Sequence, residues 1–428
     1  MDMLTRRKFL LASGVTGAAA LAGGATVLGL HELHSAAATD PLPPGQGILV
    51  LLTLYGGNDG LNTLVPAADP AYQNARPDLA YQPHEVLDLG DGLGLNPAMT
   101  AMHSLWQSGK LAVVRGVGYP QPNHSHFVSM DIWQTASPSE PGTSGWLGRW
   151  LDSQPDDQLR ALRAVSLGGV LPPLLAGAKT AGSALPLGRF ALPSGAPGEA
   201  LKALGAASTQ DCPNAAYAAR DTADLFTVST AFGPTLSSAA ATSNKGAASN
   251  KGAGKVKQSA GTKAKAAGTA ASALAQQLDI VASCIESSVP TRVYAVSLGG
   301  FDTHSAEKGT QSTLLKQVSD AIGAFQQRIA AGSRARDVVL VAYSEFGRRV
   351  AANANDGTDH GTAGPVFVVG ESVRGGFIGE QPSLTDLDNG DLKYHTDFRS
   401  VYATVLQHVL GTDPAPVLAG SFPTLSFV

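Results

Sequence analysis

Acids, imidazoles and guanidinium groups recur in five short polar clusters of this 428-residue chain. Four of them directly follow runs of leucine and β-branched residues, and the fifth directly precedes one. Gly56-Gly57-Asn58-Asp59-Gly60-Leu61-Asn62 follows Ile48–Tyr55 and offers Asp59 as an oxygen ligand beside glycines that let backbone approach a ligand; an Asn-Asp-Gly turn reads equally from the same residues. Asn123-His124-Ser125-His126-Phe127 follows Leu111–Val117 and opens a predicted helix ending near Gln134. Ser125 beside two imidazoles could be a nucleophile, with His124 or His126 carrying a leaving-group proton, or Ser125 could simply be the helix N-cap.

Gly299-Gly300-Phe301-Asp302-Thr303-His304 follows Arg292–Leu298, and an Asp and a His two apart in a loop can share one metal ion or serve two. Ser344-Glu345-Phe346-Gly347-Arg348-Arg349 follows Asp337–Tyr343. It offers a carboxylate and paired guanidinium groups, either for a tetrahedral anion or as a solvated helix start. Thr358-Asp359-His360-Gly361 precedes Pro365–Val369 and brings a further acid and imidazole. Taken together, these loops nominate Asp59, Asp302, His304, Glu345, Asp359 and His360 as metal ligands and Ser125, His124, His126 and Arg348 as catalytic groups. Mixed nitrogen and oxygen donors favour Zn²⁺ or Mn²⁺ over Ca²⁺ or Mg²⁺, as one or two ions.

The elements that must hold these loops are strands buried on both faces, because the five apolar runs show little alternation. Between them Pro97–Gln107, Thr313–Ala331 and Asp397–Leu410 carry apolar residues at spacings of three and four, which predicts helices. Strands alternating with helices predict an α/β sandwich with a mostly parallel sheet, whose ligands bind beyond the carboxyl ends of the strands. Ala164-Val-Ser-Leu-Gly-Gly169 returns as Ala295-Val-Ser-Leu-Gly-Gly300, a repeated strand-to-loop solution without wider internal similarity.

Residues 1–38 read as an address. Thr5-Arg6-Arg7-Lys8-Phe9-Leu10 is a twin-arginine motif, a Gly/Ala-rich apolar stretch follows to Leu30, and Ala36-Ala37-Ala38 is a small-residue cleavage site. Export through the twin-arginine machinery to the periplasm, envelope or medium is expected, with an uncleaved anchor as the alternative. One domain is expected over 39–428, interrupted from Ser237 to Ser272 by a run of Ala, Ser, Gly, Thr and six lysines that cannot bury enough apolar surface to order itself. Segment 172–224, rich in Gly, Pro and Ala, is expected to form loops or a small cap. In an oxidising compartment Cys212 and Cys284 could pair.

Composition narrows the function. With 43% apolar and 15% charged residues the chain is globular, and its net charge is −4. Removing the signal's net +1 leaves −5, and setting aside the six lysines leaves −11, which argues against a nucleic-acid substrate.

The chain resembles the DUF1501 family, exported bacterial proteins grouped by fold with the alkaline phosphatase and sulfatase superfamily. The resemblance runs from Leu49-Val-Leu-Leu-Thr-Leu-Tyr-Gly-Gly-Asn-Asp-Gly through Ser125-His126-Phe127, Gly145-Trp-Leu-Gly-Arg149, Gly300-Phe-Asp-Thr-His304, Ser344-Glu-Phe-Gly-Arg348, Asp359-His-Gly361 and Gly376-Phe-Ile-Gly379 to Asp397-Phe-Arg-Ser-Val-Tyr. It implies an alkaline phosphatase-like α/β/α sandwich and a metal-dependent transfer of phosphoryl or sulfuryl groups. Asp59 would be the first-strand metal ligand, Asp302 and His304 the Asp/His pair and His360 the late imidazole ligand. Glu345 stands where many members carry Asp-His. No Cys/Ser-x-Pro-x-Arg sequence is present, which argues against a formylglycine sulfatase. The expected substrate is a small-molecule or envelope-polymer ester. The alternative is a non-catalytic binding or assembly factor with an envelope protein partner.

Overall fold

The structure is a computed structural model that describes residues 26–27, 30–139, 142–157, 159–187 and 272–428. The twin-arginine motif, residues 237–271 of the expected insertion and Cys212 lie outside the described residues.

The central strand β2 (Ile48–Tyr55) shows why the sheet forms. Ile48, Val50, Leu52 and Leu54 enter one apolar core, while Leu49 and Leu51 enter another on the opposite face. A strand so placed needs covering on both sides, which is the condition for parallel pairing. Its neighbours are β6 (Val293–Gly299) and β7 (Val338–Tyr343), both parallel to it. With β1 (Thr26–Val27), β3 (Leu111–Gly118), β4 (Ala164–Leu167), β5 (Ser183–Leu185), β10 (Gly364–Val369), β11 (Gly376–Ile378) and β12 (Thr396–Asp397), they form a ten-stranded sheet. The order is β1-β5-β4-β6-β2-β7-β10-β3-β11, with β12 also on β3.

Strand β10 alone runs antiparallel to its neighbours β7 and β3. The reason lies just upstream. After β7 the chain folds a short hairpin, β8 (Arg348–Ala352) with β9 (Thr358–His360), and Gly364 re-enters the sheet four residues later. No crossover length is available, so the chain must run back from the carboxyl end of β7. The hairpin therefore stays at the sheet end where β2, β3, β6 and β7 all exit.

Helices cover both faces. On the first, α3 (Thr100–Gln107), α6 (Ala273–Glu286) and α7 (Glu307–Ala330) pack Met102, Leu278, Leu315, Val318, Ile322, Phe325 and Ile329 onto the sheet. On the second, α4 (His126–Thr135), α5 (Trp146–Asp152) and α8 (Phe398–His408) bring Trp133, Trp146, Trp150, Phe398, Val401, Tyr402, Val405 and Leu406. The α/β sandwich with a mostly parallel sheet is as the sequence implied. Two smaller helices are α1 (Leu30–Thr39) and α2 (Pro70–Ala75), the latter burying Tyr72 in a small separate apolar cluster. Leu33 and Ala37 of α1 are buried in the first core, although α1 contains the expected cleavage site. Cys284 is buried without a disulfide, and burial pushes its thiol up to about 12.

Candidate metal centre

Three strand exits converge on the carboxylate of Asp302, and a fourth, that of β2, packs on its backbone. Its Oδ1 lies 3.0 Å from His304 Nε2, 3.1 Å from His360 Nε2 and 3.4 Å from His126 Nε2. His304 Nε2 and His360 Nε2 are themselves 2.9 Å apart. His126, Asp302 and His360 offer donor atoms that all lie within 4.8 Å of one another, the spacing of ligands around one cation.

The far side of each ring is anchored. His126 Nδ1 meets Glu345 Oε1 at 2.8 Å, His360 Nδ1 meets the carbonyl of His124 at 2.7 Å, and His304 Nδ1 meets Asp359 Oδ1 at 3.3 Å. Acceptors on Nδ1 keep the proton there, leaving an unprotonated Nε2 on the inner side of each ring. That is the arrangement which orients imidazole ligands on a metal. His126 Nε2 is buried without a hydrogen-bond partner. Three inward nitrogen lone pairs around a carboxylate repel one another unless protons or a cation lie among them, so the donor set fits a divalent ion. Burial lowers the pKa of His360 although the Asp302 carboxylate lies beside it, which keeps that ring neutral. Burial of Asp302 works toward a higher pKa, but the hydrogen bond and positive charge of Arg348 outweigh it and hold the carboxyl at about 2.

The local backbone explains the convergence. Gly56, with φ +117°, turns the chain at the exit of β2; a Cβ there would lie 2.5 Å from the amide nitrogen of Asp302. Its own N–H donates to Glu345 Oε1 at 2.9 Å. Arg348 then ties the loops together, donating to the carbonyls of Gly56, Gly57, Phe301 and Thr358 and to Asp302 Oδ1 at 2.8 Å. Phe346 closes the apolar side, its ring 4.8 Å from His126 and 5.0 Å from His360. Helix α4 is fixed to the same loop by Ser129, whose hydroxyl donates to the Glu345 carbonyl.

Several sequence expectations need correction. Asp59 is no ligand of this cluster: it is fully buried, both carboxylate oxygens pair with Arg76, and Oδ1 also caps the short turn at Leu61. Glu345 and Asp359 touch the rings instead of the ion position and act as orienting acceptors. Arg348 is buried with its donors engaged by carbonyls and Asp302, so it positions the loops and is not free for a substrate anion. His126, expected as an acid, points Nε2 into the cluster. Ser125 does precede α4, but its side chain makes no capping bond; Asn123 Oδ1 accepts the Ser125 N–H instead, at 2.8 Å. His124 stands beside the cluster, with Nε2 2.8 Å from Asp391 Oδ2.

Three residues were not found from sequence. Arg76 sits in an unremarkable Ala75-Arg76-Pro77 context with no periodic signal. Asp391 lies in a Gly-Asp turn like many others. Glu307 starts α7 beside Asp59; burial and the Asp59 charge push its carboxyl up to about 9, so it stays protonated next to that carboxylate. The Arg76 charge and the Glu307 and Arg76 hydrogen bonds hold Asp59 low in spite of its burial.

A family model described as "Protein of unknown function (DUF1501)" matches residues 48–422. The chain belongs to the DUF1501 family. The match spans all four loops of the centre. No curated protein matches the sequence. Among solved structures, this DUF1501 chain is similar to a protein in the alkaline phosphatase superfamily from Vibrio parahaemolyticus, at 9% identity and TM-score 0.37, over 91% of this chain and 76% of that one. It is also similar to Ps i-CgsB in complex with k-i-k-neocarrahexaose, at 9% identity and TM-score 0.36, over 88% and 73%. The lipoteichoic acid synthase LtaP from Listeria monocytogenes matches at 10% identity and TM-score 0.35, over 88% and 74%. Likeness at this level carries nothing over to the site.

Proposed function

We propose that this protein is an exported hydrolase of phosphate or sulfate esters that works with one divalent ion, Zn²⁺ or Mn²⁺, held by His126, Asp302, His304 and His360. The observation that carries the reading is the convergence of three Nε2 atoms on Asp302 Oδ1, with every opposite Nδ1 engaged by an acceptor. Three nitrogens and one oxygen suit Zn²⁺ or Mn²⁺ better than the all-oxygen shell that Ca²⁺ or Mg²⁺ prefers. Bound there, the ion supplies Lewis-acid polarisation of the ester and lowers the pKa of water near it.

The chain's own groups do the rest. Asp302 and the three imidazoles fix the reacting position, Arg348 holds the Asp302 loop, and Phe346 excludes water from one side. Water attacks phosphorus or sulfur while the bond to the ester oxygen breaks. His124 in its imidazolium form, with Nε2–H held by Asp391, hands its Nδ1 proton to the departing oxygen; of the attacking water's two protons one stays on the inorganic product and the other passes to solvent, which reprotonates His124 before the next turnover. Water is favoured over Ser125 because no hydrogen bond links the Ser125 hydroxyl to a base among the described residues. Export through the twin-arginine pathway, proposed on Thr5–Leu10, matches a site that must be loaded and folded before translocation.

Screening Zn²⁺- and Mn²⁺-loaded protein against phosphomonoesters, phosphodiesters and sulfate esters tests the reading. Turnover of at least one class is expected, falling by about 10²-fold or more in His124→Gln, the scale of a lost general acid. No turnover of any class by folded, metal-loaded wild type would overturn it in favour of a binding factor.

A further inference from the structure

Two unlike cavities flank the His126–Asp302–His304–His360 cluster. The larger, about 670 Å³, is lined among others by Gln121, His124, Arg349, Asn389, Lys393 and Tyr394. The smaller, about 280 Å³, is lined by Tyr55, Phe127, Met130 and Pro173 together with Asp131, Gln134, His126 and Glu345, and most of its exposed surface is apolar. Both adjoin the centre: His126 of the cluster lines the smaller, and His124, whose carbonyl holds Nδ1 of His360 at 2.7 Å, lines the larger.

Their chemistries differ. In the larger cleft the charges balance, Arg349 and Lys393 against Asp388 and Asp391, and Lys393 is already ion-paired with Asp386. Side-chain amides of Gln121 and Asn389 and the part-exposed ring of Tyr394 add hydrogen bonding and a stacking face. Such a lining recognises a hydroxylated group and offers no net field for a polyanion. In the smaller cavity Phe127 is 81% exposed, the most exposed of the large apolar side chains described, and Val128 beside it is 43% exposed. Two adjacent large apolar side chains left in water on the first turn of α4, one of them walling a cavity at the reacting centre, provide a surface for an apolar group.

We propose that the ester taken by this centre is amphiphilic, a hydroxylated headgroup in the larger cleft joined through the phosphate or sulfate to an alkyl chain lying over Phe127, Met130 and Pro173. This rests on the hydrolase reading for the position of the ester, and its test does not require turnover. The probes are glycerol 1-phosphate, hexadecyl phosphate and the phosphonate analogue of hexadecyl phosphoglycerol, which cannot be cleaved, each titrated calorimetrically into full-length metal-loaded protein below its micellar concentration. The two-armed phosphonate is expected to bind at least tenfold more tightly than either single-armed probe. Phe127→Ser should reduce its preference over glycerol 1-phosphate about tenfold, the value of one apolar side chain's contact. Tyr394→Ala should reduce its preference over hexadecyl phosphate. Equal binding of all three probes, or preferences unchanged by Phe127→Ser, would overturn the proposal even if esters are hydrolysed. The expected binding pattern with no ester cleaved would uphold it while sinking the hydrolase reading.

Discussion

At the residue scale, two acids with nearby partners have opposite fates. Asp302 keeps an exposed edge among imidazoles, whereas Asp59 is sealed against Arg76 with Glu307 alongside. Removing one partner of a fully buried pair leaves an uncompensated charge, so Asp59→Asn should cost about 3–5 kcal/mol in denaturant unfolding while the surviving folded protein binds metal at wild-type stoichiometry. Loss of metal from folded Asp59→Asn would restore Asp59 as a ligand. Glu345→Gln should instead leave stability nearly intact and weaken metal binding about 10–100-fold, measured by competition with a chelator, because it disturbs the acceptor that fixes the His126 tautomer. Glu307 gives a pH prediction. Its folded pKa, about 9, lies above the ordinary carboxylate value near 4.5, so between these the unfolded chain binds fewer protons than the native one. Stability contributed there is present below pH 4.5 and is lost as pH rises toward 9. Glu307→Gln should flatten that decline in melting temperature between pH 6 and 9; an unchanged slope would contradict the assignment. Asp302, His304 and His360 were legible as candidate ligands because acids and imidazoles in loops at strand ends advertise their chemistry. The Asp59–Arg76 pair was not, since an acid at a strand exit reads alike whether its cation is a metal or an arginine 17 positions away in sequence.

Elements set the centre's precision. The hairpin β8–β9 delivers His360 and orients His304 through Asp359, and Arg348 at its base bonds two neighbouring loops and the opposite strand of the hairpin. Gly357 is where the hairpin passes closest to the Asp302–His304 loop; a Cβ there would lie 2.3 Å from the His304 carbonyl carbon. Gly357→Ala should therefore push His304 away from Asp302, costing about 1–3 kcal/mol in stability and lowering metal affinity together. A stable variant with wild-type affinity would show that His304 is not held by this contact. The five main strands were readable to within a residue or so, because strands buried on both faces are written as unbroken apolar runs. The direction of β10 was not. Its apolar run is the same in either direction, and only the tight hairpin before it dictates the reversal. Helix α7 begins at Glu307, six residues before the apolar periodicity that predicted it, because its first turn packs against the polar Asp59 group instead of the core.

For the whole molecule, the sandwich acts as a rigid base that gathers loops from distant sequence, residues 56, 126, 302, 345 and 360, at one end of the sheet. Helix α1 adds Leu33 to the first core from within the segment read as an export signal. A chain starting at Leu30 should be more stable than one starting at Thr39 by about 1.5–3 kcal/mol, the value of burying one leucine; equal stability would show that α1 contributes nothing to the fold. Arg6→Lys/Arg7→Lys should abolish export of the folded chain in fractionated cells, and undiminished export would discard the twin-arginine assignment. The central claim is that four side chains from one loop, one hairpin and a helix start hold one ion. Its most direct test is metal analysis of full-length protein incubated with Zn²⁺ or Mn²⁺ and desalted, comparing wild type with Asp302→Ala/His360→Ala at matched folded fraction by circular dichroism. About one equivalent in the wild type, absent from the double variant, is the predicted result; a folded wild type that retains neither metal, or a double variant that retains it fully, would contradict the account.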